Sequence, residues 1–85
     1  MKRGKIRLLV MDREAVLFDD EVETVSSTNE KGVFDVLEEH TNFISLIRDT
    51  LTVHLKNGEV TEIPVVDAIM RVYDDGVYVF MGLGH

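Results

Sequence analysis

The chain has 85 residues, 45% hydrophobic and 29% charged, with 16 acidic against 9 basic side chains and a formal net charge of −7. That length is one domain with a single small core, because folding at this size hides roughly 60–65% of the unfolded chain's surface. Ordinary apolar content excludes disorder, the absence of cysteine excludes disulfides and thiolate metal sites, and the charge argues against nucleic acid or anionic lipid as main partner.

In chain order, the basic cluster Lys2, Arg3, Lys5 and Arg7 reads as a solvated arm. The apolar stretch after it, residues 8–11, is too short for a signal peptide. No run approaches the roughly 20 apolar residues of a membrane helix. A soluble chain is expected, one that meets a membrane only through other proteins. Alternation then sets Ile6, Leu8 and Val10 on one face of a strand, with Arg7, Leu9 and Met11 on the other. Asp12-Arg13-Glu14 reads as a turn, residues 15–18 and 21–27 as strands. Asn29-Glu30-Lys31-Gly32 is a polar turn whose glycine is free to take a positive φ, and residues 33–37 are a short apolar strand.

Residues 32–53 form the ambiguous segment, acidic and apolar at once, with His40 inside it. Phe43, Ile44, Ile47 and Leu51 have helical spacing, so residues 39–50 could be an amphipathic helix. Thr41, Thr50 and the β-branched residues weigh against it. An irregular crossing within a β-sandwich is the more economical reading. Beyond it, Lys56-Asn57-Gly58 joins a strand at residues 51–55 to one at 59–66, and Asp74-Asp75-Gly76 joins residues 69–73 to 77–81. Turns spaced this closely describe a meandering antiparallel β domain.

The first of these two turns fixes a register. A two-residue loop at Asn57-Gly58 would set Val53 against Glu62 and Leu51 against Pro64. A three-residue loop with a left-handed, bulged Gly58 instead pairs Val53 with Thr61 and Leu51 with Ile63. Because one step of register moves every side chain to the other face, the hydrophobic pattern selects the three-residue loop.

Candidate chemistry is sparse. Glu38, Glu39 and His40 are the one dense group of potential metal or acid–base residues, yet neighbours on extended chain point to opposite faces and a metal needs three or four converging ligands. Nothing in the spacing brings His54 or His85 to them. A solvated polar loop is the favoured reading. Ser26, Ser27 and Ser45 have no nucleophile motif around them. Gly82-Leu83-Gly84 is followed by no helix to make a phosphate cradle. The carboxylates Asp19, Asp20, Glu21 and Glu23 lack a calcium-loop glycine and read as a strand edge kept soluble by charge. No active site, metal or cofactor is expected.

One order of residues runs through the whole chain: Leu17-Phe18, Glu21-Val22-Glu23, Gly32, Val36-Leu37, His40, Phe43-Ile44, Leu46-Ile47, Leu51-Thr52-Val53, Gly58 and Val77-Tyr78-Val79. In that order and spacing the chain resembles the N-terminal domain of the epsilon subunit of F-type ATP synthases. The family usually has proline-glycine where this chain has Glu38-Glu39, alanine-proline at Thr41-Asn42, proline-glycine at Asp49-Thr50 and serine-glycine-glycine at Val66-Asp67-Ala68. The His-x-x-Phe spacing and the Gly-x-Phe at residues 32–34 are closer to divergent, alternative-type complexes, some of which translocate sodium.

The resemblance implies an all-β domain over residues 1–85, a flattened sandwich of two antiparallel sheets. It implies a non-catalytic subunit at the foot of the central stalk of a proton- or sodium-translocating synthase, touching the gamma subunit and the c-ring. Such a subunit lies at the cytoplasmic face of the membrane, peripheral through the complex. The implied partner-binding residues are Gly32, Val33, His40, Phe43 and Ser45, with Phe43 or Ile44 in an exposed apolar patch. The position of Val33 is often acidic in the family. The family's C-terminal helical hairpin, which restrains ATP hydrolysis, would begin where this chain stops at His85. Two rival readings are a free-standing β-sandwich interaction module sharing only the fold, and a small metal-dependent hydrolase using His40, His54, Glu38 and Glu39.

Overall fold

The computed structural model describes residues 6–36, 42–74 and 76–82. Leu37, Glu38, Glu39, His40, Thr41, Asp75 and His85 lie outside them, as do Lys2, Arg3 and Lys5. Seven strands follow one another: β1 (Ile6–Met11), β2 (Val16–Val22), β3 (Thr24–Asn29), β4 (Gly32–Val36), β5 (Phe43–His54), β6 (Val60–Tyr73) and β7 (Gly76–Met81). Their order across the sheet is β2-β1-β7-β6-β5-β3-β4. The all-β expectation holds. The two layers, however, are halves of one continuous sheet, in which the neighbours β1 and β7 run parallel.

Two bulges fold this sheet over. Ile47 pairs with Ala68 and Asp49 with Val65, so Val66 and Asp67 together oppose Arg48. The extra residue reverses the alternation of β6: Val65 is buried before it, and Ala68, Met70 and Val72 after it. On the other side of β5, Ser26 pairs with Thr52 but Thr28 with Arg48, leaving residues 49–51 opposite Ser27. Bulges bend a strand and sharpen its twist. Asp49 takes φ 75° there, a left-handed conformation that aspartate tolerates better than most side chains. Ser27, 3% exposed, donates its hydroxyl to the Thr50 carbonyl at 3.0 Å and so ties the bulge to β3.

One layer therefore comprises β2, β1, β7, the end of β6 and the start of β5. The other comprises β4, β3, the end of β5 and the start of β6. The chain passes between them at Glu23, whose N–H donates to the His54 carbonyl at 2.8 Å. A Lys56–Glu21 ion pair of 3.3 Å closes the same side. The shortest dimension of the molecule is 20 Å, twice the roughly 10 Å of one sheet layer. Between the layers every strand contributes to one core, including Leu8, Val22, Val25, Val36, Leu51, Met70 and Val79.

The Asn57-Gly58 register is as the hydrophobic pattern requires. Val53 pairs with Thr61 and Leu51 with Ile63, Gly58 has φ 94°, and its N–H donates to the Leu55 carbonyl at 3.0 Å. Three boundaries differ from expectation. The break after β2 falls at Glu23 rather than between residues 18 and 21, because the carboxylates of β2 lie along a solvent-facing edge strand that needs no interruption. Residues 43–50 are strand and not helix: Phe43, Ser45 and Ile47 turn inward while Ile44 and Leu46 turn out. The strands expected at 59–66 and 69–73 are one strand, with the bulge disguised as a gap. Gly76 is also not a φ-driven turn residue. It is paired and buried, and a Cβ there would lie 2.6 Å from the Tyr78 hydroxyl, so glycine makes room for the Tyr78 ring.

Candidate functional site

Three of the residues singled out from the sequence, Gly32, Phe43 and Ser45, meet at one end of the sandwich, where the β3–β4 turn stands beside the start of β5. Asn29 pairs with Gly32 across a two-residue loop, and Gly32 has φ 119°, which a side chain rarely adopts. The Asn29 side chain accepts from the Lys31 N–H at 2.8 Å. Its Nδ2 donates to the Ser45 hydroxyl at 3.1 Å, carrying the β3–β5 contact past the last backbone pair, Thr28–Arg48. Ser45 Oγ in turn donates to the Leu46 carbonyl at 3.2 Å. A shallow groove of about 550 Å³ lies here, bordered by Lys31, Ile44, Leu46, Arg48 and Asp67.

Gly32, Phe43 and Ser45 are brought together, while His40 lies outside the described residues. Phe43 is half-buried, its ring edge-on to Phe34 with centroids 6.2 Å apart at 73°, a stable arrangement for an aromatic pair. It therefore supports the site from inside. Of Phe43 and Ile44, the exposed member is Ile44, at 69%. Val33 is 79% exposed but alternates with the inward Phe34, so it stands on the outer face of the β3 layer, away from Phe43. His54 sits at the opposite corner, its Nδ1 buried without a hydrogen-bond partner. Among the described residues no three His, Cys, Asp or Glu side chains gather closely enough to hold a metal ion.

Sequence reasoning missed the outer face of the other layer. Leu46 pairs with Ile69, Ile69 with Phe80, Phe80 with Met11 and Met11 with Val16. Five apolar side chains thus form an unbroken row across five strands, Leu46 and Val16 at its ends 73% and 58% exposed. The next row is Ile44, Arg71, Tyr78, Leu9 and Asp19. Arg7 pairs with Asp19 at 2.7 Å, and Arg71 lies 5.1 Å over the Tyr73 ring. The signal was present in β1, which is apolar on both faces.

The chain matches, over residues 5–82, the family model described as ATP synthase, Delta/Epsilon chain, beta-sandwich domain. The chain belongs to that family. No curated protein matches significantly. A chain in the cryo-EM structure of the Euglena gracilis mitochondrial ATP synthase, OSCP/F1/c-ring in rotational state 1, is similar with TM-score 0.85 and 16% identity, over 92% of this chain and 51% of that one. A chain in the Tetrahymena thermophila mitochondrial ATP synthase central stalk/c-ring is similar with TM-score 0.71 and 8% identity, over 95% and 66%. These likenesses carry the fold, and the chain spans about half to two thirds of the chains it matches. Within the delta/epsilon family, this sandwich keeps its shape without the usual glycines at Asp49-Thr50 and Val66-Asp67-Ala68. Asp49 supplies the left-handed backbone angle, and the bulge at residues 66–67 needs none.

Proposed function

We propose that this delta/epsilon-type domain is a non-catalytic central-stalk subunit of a proton- or sodium-translocating rotary ATP synthase, joining the gamma subunit to the c-ring. The observation that carries the reading is the family match over residues 5–82, which spans the entire described sandwich. The structure is suited to such work. A single core reached by all seven strands makes a stiff body, and a rotor part must transmit torque without deforming. No helix among the described residues is long and apolar enough to cross a membrane. In this reading attachment runs through protein partners at the cytoplasmic face. The end carrying Gly32, Phe43 and Ser45 is turned toward those partners, and Val33 and His40 are further contact residues. In place of the family's acidic residue, Val33 offers an apolar contact.

The test is affinity purification of the tagged chain from membranes of its own organism, with subunits identified by mass spectrometry. Recovery of gamma and c subunits in fixed ratio supports the reading. A chain recovered alone, or with partners from no ATP synthase, contradicts it.

A further inference from the structure

We infer that Asn57 is a modification site: its side-chain amide is lost spontaneously, through attack by the Gly58 backbone nitrogen, at a rate set by opening of the β5–β6 turn alone. This is independent of the rotor-subunit reading. The reaction needs an asparagine whose following amide nitrogen can reach the side-chain carbonyl carbon, and glycine, with no Cβ, leaves that nitrogen least shielded. Of the three asparagines in the chain, Asn57 alone precedes glycine; Asn29 precedes Glu30 and Asn42 precedes Phe43. Lys56, Asn57, Gly58 and Glu59 are all exposed, and nothing lies within 4 Å of the point where a Gly58 Cβ would stand. Once the Gly58 nitrogen gives up its proton to hydroxide, it bonds to Asn57 Cγ. The bond from Cγ to the side-chain nitrogen breaks and ammonia leaves, closing a succinimide ring. Water then opens the ring at either carbonyl. One opening gives aspartate with the main chain intact, the other isoaspartate with the main chain rerouted through the side chain. Water enters, ammonia leaves, and nothing is oxidised or reduced.

The turn restrains this step without forbidding it. The Gly58 N–H donates to the Leu55 carbonyl at 3.0 Å, which holds the proton that must leave. Asn57 Oδ1 accepts from the Glu59 N–H at 2.9 Å, which fixes the side chain. Releasing these two bonds frees the loop, while the ladder inward from it, starting with the Leu55 N–H to the Glu59 carbonyl at 2.8 Å, stays closed. Magnitudes separate local from global opening. Two exposed hydrogen bonds favour the closed turn over the open one by about five- to thirtyfold, whereas the folded sandwich is favoured over the unfolded chain by roughly a thousandfold or more. Loop tips belong to the low-stability end of a fold. Of the two products, aspartate keeps an acceptor for the Glu59 N–H. Isoaspartate adds a main-chain atom to the loop whose bulge, with Gly58 at φ 94°, sets Val53 against Thr61, and so works against the register.

The experiment incubates the full chain at mildly alkaline pH, folded in buffer and unfolded in urea, and follows conversion at each asparagine by peptide mapping with mass spectrometry. Conversion is expected at Asn57 and not at Asn29 or Asn42, and about five- to thirtyfold more slowly in the folded chain than in the unfolded one. Leu8→Ala weakens the core and leaves the turn untouched, so it should not change the folded rate. Val79→Ala, a smaller deletion, gives the same comparison should L8A fail to fold. A folded rate roughly a thousandfold or more below the unfolded one, or one that the core variants raise in step with their loss of stability, would route the reaction through global unfolding and overturn the inference. Equal folded and unfolded rates would show that the turn exerts no control, and overturn it as well. Asn57→Asp supplies the aspartate standard and should melt with wild type, while the isoaspartyl fraction of an aged sample should melt lower. An isoaspartyl fraction melting with wild type would overturn the effect on the register.

Discussion

The two outer faces of this sandwich differ more than its two layers do. Across the middle of the β3 layer runs the row Asp35, Ser26, Thr52 and Glu62, with the Ser26 hydroxyl donating to Asp35 at 2.6 Å. Exposed valines occur there singly, at Val33, Val60 and Val66. Across the β1 layer runs the row of Leu46, Ile69, Phe80, Met11 and Val16. Both rows are built on the same alternating backbone, over the same core. One outer face is polar and the other carries an apolar row, and side-chain choice at every second position makes the difference.

The largest expected effect separates inside from outside. Leu8→Ala should cost about 2–5 kcal/mol, because a fully buried leucine leaves a cavity in a close-packed core. Leu9→Ala, one residue along and facing out, should cost under about 1 kcal/mol. Urea unfolding of both checks this, and equal losses would mean that the β1 layer is covered on both faces within the chain itself. An intermediate effect tests how Tyr78 is held on the outer face. Gly76→Ala should destabilise by about 1–2 kcal/mol, because the new methyl meets the Tyr78 ring. In the background Tyr78→Ala the same change should cost distinctly less, by non-additivity between contacting residues.

The smallest effect concerns the turn that sets Met11 against Val16. Asp12 Oδ1 accepts from the N–H groups of Glu14 and Ala15, each at 2.8 Å. These bonds hold its carboxyl below the ordinary value of 3.8. A folded-state value lowered in this way adds stability above the unfolded value and loses it as pH falls through the folded one. The melting-temperature gap between wild type and Asp12→Asn should therefore be small at neutral pH and close as pH drops below 3.8. A gap that widens in acid would reverse the sign.

Much of this was legible in residue types. Gly58 and the apolar residues around it specified a register, because the alternative pairs Val53 with a glutamate. The carboxylates of β2 marked an edge. What was not legible has physical reasons. The bulge at Val66 and Asp67 breaks alternation for one residue, which in sequence is indistinguishable from a loop. Phe43, Ile44, Ile47 and Leu51 mimic a helix because the strand buries Phe43, Ile47 and Leu51 while exposing Ile44. The parallel β1–β7 pair joins residues about seventy apart, beyond any local signal. Gly32, Phe43 and Ser45 were singled out through the family resemblance, and the fold brings them to one end of the sandwich. The apolar row was not, because its five members come from five strands and meet only in the folded sheet.

The most direct test of the rotor-subunit proposal is nuclear magnetic resonance of the isotope-labelled chain titrated with unlabelled cognate gamma subunit. The proposal predicts that signals of Gly32, Ile44 and Ser45 shift or broaden while those of His54 and Gly58, at the opposite corner, stay in place. No shift at all, or shifts confined to the His54 corner, would contradict it.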